Sequence, residues 1–199
     1  MAFEKLREQL EKNGFQVSVF ATAQEAADYL NREIDGATVG CGGSMTLKEM
    51  GLYDSLAAHN TLYYHGVSDD PKGAMQKAMT ADVYLLSANA IAESTGEILS
   101  IDGTGNRVSS TLFGHRKVYF VAGKNKVSED FDKALWRLRN VVAPKNAQRL
   151  GRKTPCAVKG DKCYNCSSPE RICRGLVVHY KKMNSMDMEV VLVDQELGY

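Results

Sequence analysis

A chain of 199 residues can form one generous domain, or a domain with a small appendage, and can bury a proper core. Its hydrophobic content of 44% and charged content of 25% are those of a globular protein. The formal net charge of +1 gives no general argument for nucleic acid or membrane, and no run approaches the ~18–20 apolar residues of a membrane span.

In chain order, MAFEKLREQLEKNG reads as an amphipathic helix, with Phe3, Leu6 and Leu10 at helical spacing and Asn13-Gly14 as its stop. It lacks the uninterrupted apolar core of a signal peptide, which points to a cytoplasmic protein. FQVSVF at 15–20 reads as a strand, and Thr22 with Glu25 as a capping box opening a helix to about Glu33. ATVG at 37–40 is a short strand, followed by a helix from about Thr46 through Leu56. TLYYHG at 61–66 is a strand, and Pro71 stands in the first turn of the next helix, to about Met79. VYLLSA at 83–88 is the most apolar strand and belongs at the centre of a sheet. EILSID at 97–102 is another, leading to a short helix over about Asn106 to Leu112. KVYFVAG at 117–123 precedes a helix capped by Ser128 and running to about Val142, which Pro144 ends. LVVHYKK at 176–182 and MEVVLVD at 188–194 flank MNSMD and read as a β-hairpin.

Strands alternating with helices predict an α/β fold, with a mostly parallel sheet and helices on both faces. Three parts follow: a core over 1–150, a four-cysteine module over 151–175, and a hairpin with a tail over 176–199.

Parallel sheets bind ligands where crossover loops leave the carboxyl ends of their strands. Four loops fall there. Gly40-Cys41-Gly42-Gly43-Ser44-Met45-Thr46 offers a backbone nest and two hydroxyls, Ser44 and Thr46, beside a helix start. That suits phosphate or carboxylate, although a tight turn with an ordinary cap would look the same. The loop has neither Walker nor dinucleotide spacing. In Asn89–Gly96, Glu93 could act as nucleophile or general base, or be a solvated loop carboxylate. In the third loop Arg107 could hold an anion and Asp102 orient a hydroxyl, against a plain glycine turn with Asn106 as helix cap. The fourth, Gly123-Lys124-Asn125-Lys126, adds two cations that could equally be solvated.

VGCGGSMTLKEMGL, ADVYLLSANAIAESTGEILSIDGTGNRVSS and VYFVAGKNKV resemble, in order and spacing, the LUD domain of lactate-utilisation proteins. The resemblance covers most of the chain and implies a fold like that of ribose-phosphate isomerases (NagB/RpiA) and CoA transferases. It implies a context of bacterial lactate or related organic-acid use, beside iron–sulfur partner proteins, and supplies no catalytic residue.

The strongest local signal is Cys156-x6-Cys163-x2-Cys166-x6-Cys173. Four thiolates at this spacing suit zinc or an iron–sulfur cluster; reduced cysteines or a reversible disulfide are the alternatives. Cys41, the fifth, reads as a small residue of the glycine loop. Residues 145–174 hold eight basic and two acidic side chains, a net +6. Such a patch could meet RNA, an acidic protein or an anionic ligand. Tyr164 is its one aromatic residue, which disfavours nucleic acid. The leading expectation is a metabolic protein that binds a small anionic ligand at the sheet edge, with Glu93 as the catalytic group if it is an enzyme. A non-catalytic partner of an iron–sulfur redox complex is the contrasting expectation, a metal-stabilised RNA-binding module the third, and a homo-oligomer is compatible with any of them.

Overall fold

The structure, a computed structural model, describes residues 3–199, so Met1 and Ala2 of the expected first helix lie outside it. Helix α1 (Glu4–Lys12) buries Leu6 and Leu10 and leads into β1 (Gln16–Phe20). The capping box forms at α2 (Ala23–Glu33): the Thr22 hydroxyl accepts the Glu25 N–H at 3.2 Å, and the Glu25 carboxylate accepts the Thr22 N–H at 3.1 Å. After β2 (Thr38–Cys41) the single helix expected is two, α3 (Met45–Glu49) and α4 (Leu52–Ala57). Gly51 divides them, its φ of +65° lying in the left-handed region that side chains resist. Then come β3 (Thr61–Tyr64) and α5 (Pro71–Ala78), with Asp70 as cap and Pro71 in the first turn.

β4 (Val83–Ser87) is buried at every position. β5 (Ala90–Ala92), β6 (Ile98–Asp102), α6 (Asn106–Ser109), β7 (Lys117–Gly123) and β8 (Val127–Ser128) follow. Helix α7 (Phe131–Arg137) is capped by Asp130, whose carboxylate accepts the Lys133 N–H at 2.8 Å; Ser128, the expected cap, lies in β8. Nor does Pro144 end the helical run. A π-turn over Leu138–Val142 interrupts the hydrogen-bond ladder, so Pro144 enters near the start of α8 (Ala143–Arg149), where no N–H is needed. The chain ends with α9 (Pro155–Lys159), β9 (Gly175–His179) and β10 (Asp187–Val193).

Six strands make a wholly parallel sheet in the order β1-β10-β7-β4-β2-β3. A second, mixed sheet has the order β8-β5-β6-β9. The expected C-terminal hairpin therefore does not exist. β9 pairs antiparallel with β6, whereas β10 inserts between β1 and β7. Met188 through Val193 are buried on both faces, which an exposed hairpin could not satisfy and the interior of a parallel sheet can. Likewise the 97–102 strand leaves the parallel sheet for the mixed one.

One face of the parallel sheet packs Val39, Leu85, Val121 and Val191 against α2, α3 and α4. The other packs Tyr84, Leu86, Phe120 and Leu192 against α1, α5 and the mixed sheet. The mixed sheet's far side, Ala90, Ala92 and Leu99, is covered by Ala134 and Leu138. These layers leave the carboxyl ends of β2, β4 and β7 open on one edge. No described helix is long and apolar enough to cross a membrane.

Candidate functional site: a cation-lined cavity at the sheet edge

A cavity of about 550 Å³ opens at that edge. Its floor is the turn after β2 (Gly43, Ser44, Thr46), the end of β4 (Ser87, Ala88, Asn89) and Lys126 beyond β7. Asp102, Asn106 and Arg107 close one side.

Arg107 is committed to the protein. Its Nε pairs with Asp102 Oδ2 at 3.3 Å, Nη2 donates to the Ile101 carbonyl at 2.6 Å and Asn89 Oδ1 at 3.2 Å, and Nη1 approaches the Ser87 carbonyl at 3.4 Å. The guanidinium thereby ties the end of β4 to the end of β6. Its stem lies under Gly42, where a Cβ would stand 2.9 Å from Arg107 Cγ. Asp102 is similarly engaged, its other oxygen accepting the Thr104 and Gly105 N–H groups at 3.0 Å. Thr46 is 1% exposed, accepts from Ser87 Oγ at 3.2 Å and donates to the Leu197 carbonyl at 3.1 Å. Ser44 caps α3, which is only five residues long, so this loop works through its shape and not through a helix end. These residues build the wall and place its charge.

Three other groups present unspent chemistry. Lys126 is 4% exposed and donates to the main-chain oxygen of Tyr199 at 2.8 Å. Burial pushes its ammonium down to about 7, with repulsion from Arg137 next in weight. The Asn106 side chain has no hydrogen-bond partner among the described residues. His65, after β3, lines the cavity with its Nδ1 buried and unpartnered among them, and burial disfavours its charged form. Sequence reading named the loop of Lys126 but singled out Lys124, since nothing local tells which lysine turns inward. His65 carried no signal beyond ending a strand.

Glu93 does not line the cavity. The chain leaves the parallel sheet at Ala88–Asn89, and β5 carries Glu93 away to a 3.6 Å ion pair with Lys5 of α1. Lys124 is half-exposed and pairs with Asp194 at 3.3 Å. Gly40 lies inside β2, where a Cβ would stand 2.5 Å from the Ala78 carbonyl, so its role is close packing against α5. Cys41 is buried in the α2–α4 face.

The cysteine segment forms the outer wall: Pro169, Glu170, Arg171, Ile172 and Arg174 line the cavity. Ile172 packs on Gly103, and the Arg174 N–H donates to the Asp102 carbonyl at 2.9 Å. The spacing predicts four sulfurs sharing one ion. In the structure all four cysteines are free and partly buried, and no three His, Cys, Asp or Glu side chains among the described residues are arranged to hold a metal. A guanidinium stands there instead: Arg171 donates to Cys173 Sγ at 3.3 Å and to the Cys166 and Cys173 carbonyls at 2.7 and 3.1 Å. Cys156 contacts Thr154 Oγ1, and Cys163 accepts from the Asn165 N–H. This arrangement does not fit a four-thiolate centre, and no chemistry is assigned through one.

The class these features define is an α/β protein with a parallel sheet and a cation-lined cavity at its carboxyl edge. The family model for the LUD domain matches residues 3–193, and the chain belongs to the LUD-domain family. It is similar in structure to a DUF162 family protein from Deinococcus radiodurans, with a TM-score of 0.53, 12% identity, and 97% of this chain and 99% of that one covered. At that identity the likeness shows the fold. No curated protein matches the chain.

Proposed function

We propose that this LUD-domain protein binds a small phosphate- or carboxylate-bearing metabolite in the cavity, within the use of lactate or a related organic acid. The organic-acid context rests on the family. The binding rests on Lys126, a nearly fully buried cation at the end of a central strand and the most buried of six cations that line the cavity against the side-chain carboxylates of Asp102 and Glu170. Burying an amine is costly, and a concave surface lined by an excess of cations draws an anion to it. Asn106 and His65 add polar groups to the same wall, and Arg107 adds positive field while staying in place.

The test is calorimetric titration of inorganic phosphate and of lactate into the wild-type protein and Lys126→Met, with circular dichroism as a check of folding. Loss of a charged hydrogen bond is worth about 1.5–3 kcal/mol, so the variant should bind roughly tenfold more weakly or worse. Equal affinity in a folded variant would remove Lys126, and with it this reading.

A further inference from the structure

Resting on that anion-binding reading, we infer that the ligand is a diphosphate ester, two linked phosphates on a sizeable organic group, and not a lone small acid. Charge balance is the first reason. Arg107, Lys126, Arg149, Arg152, Arg171 and Arg174 line the cavity, against the carboxylates of Asp102 and Glu170. Asp102 is spent on Arg107, and Glu170 accepts the main-chain N–H of Lys153. Among the described residues Arg149, Arg152, Arg171 and Arg174 have no carboxylate partner, while Lys126 meets the main-chain oxygen of Tyr199. Arg149 is held by Asn146 Oδ1 and the Tyr199 hydroxyl, Arg171 and Arg174 mainly by loop carbonyls, and the Arg152 side chain by nothing. Like charges gathered round one concave surface repel one another, and a single carboxylate would offset only one of them.

Spacing is the second reason. Tyr199 bridges the inner and outer cations: its main-chain oxygen accepts from Lys126 and its hydroxyl from Arg149 Nε, both at 2.8 Å. The inner and outer cations are thus two separate positions around Tyr199, which two linked phosphates can meet together and an isolated phosphate meets singly. Arginine is also the side chain best matched to phosphate, through its planar fork. Size is the third. A cavity of about 550 Å³ lies within the ~300–1,000 Å³ of organic-ligand sites, well above what a three-carbon acid fills. Ile101, Val142, Leu150 and Ile172 line the same space and supply apolar surface for the organic part.

The experiment titrates the full chain with inorganic phosphate, pyrophosphate, AMP and ADP, in the wild type and in Arg152→Ala. Arg152 makes no side-chain bond among the described residues, so its removal tests the ligand and not the folding. ADP should bind about tenfold tighter than phosphate or more, and Arg152→Ala should remove most of that difference. Phosphate binding with no gain for ADP would overturn the inference and leave the anion-binding reading standing. Pyrophosphate binding as tightly as ADP would overturn the ester. Failure of phosphate, lactate and ADP alike would remove the underlying reading as well.

Discussion

Lys126 concentrates the physics of the cavity in one amine. Its ordinary pKa of 10.5 falls to about 7 in the folded protein, first through burial and then through Arg137. Between those two values the unfolded chain binds the proton and the folded one does not, so stability rises with pH across that window. Below about 7 both states are charged and the full penalty stands; above 10.5 both are neutral and it is gone. Urea unfolding from pH 7 to 10 should therefore show a rising stability that flattens in Lys126→Met, and parallel slopes would place the amine in solvent. A bound phosphate reverses the sense, because it favours the ammonium and its own affinity falls as pH rises through 7. The neighbouring glycines were legible for another reason than expected. Gly42 is small because the Arg107 stem passes beneath it, and only a partner 65 positions along the chain could reveal that.

Elements were legible where their cause is local. The Thr22–Glu25 box acts within one turn, so its residues name it in the sequence. Thr22→Ala should cost about 1 kcal/mol in urea unfolding. No residue of α2 lines the cavity, so phosphate affinity should not move; a change there would show that α2 and the cavity are coupled. The last two strands were misjudged because closeness in sequence suggests pairing. Their own patterns differ: β10 is apolar at consecutive positions, the mark of a strand buried on both faces, whereas β9 begins exposed and ends buried at His179. The run through Pro144 was misjudged because a π-turn is set by hydrogen bonds that composition does not announce.

At the scale of the whole molecule, the cysteine segment is the piece whose order is least expected from its composition. Between α9 and β9 it has no regular structure, yet it walls the cavity. Side-chain hydrogen bonds hold it. Arg171 spans the Cys166 and Cys173 carbonyls, Asn140 Oδ1 accepts the Cys163 N–H at 3.1 Å, and Arg139 reaches Asn165 Oδ1 at 3.3 Å. The excess of basic residues here is thus partly structural: guanidinium groups satisfy loop carbonyls that no helix or sheet would take up. Arg171→Ala should raise amide exchange across residues 160–174 while the parallel sheet keeps its protection. Unchanged exchange in that segment would mean that other contacts hold it.

By itself the sequence determined the alternation of strands and helices, the parallel sheet, the family, and three of the loops at the open edge of that sheet. The elements and loops follow from periodicity, caps and glycine positions, which act over a few residues, and the family from the resemblance of three motif blocks. Only the tertiary structure decided that β5 carries Glu93 away from the edge, that β10 enters the centre of the sheet, and that Lys126 turns inward. It also decided that Arg171 stands beside the cysteines, where the spacing suggested a shared ion. Each of these depends on which distant segment a residue packs against, and burial and charge compensation are settled between segments, not within them.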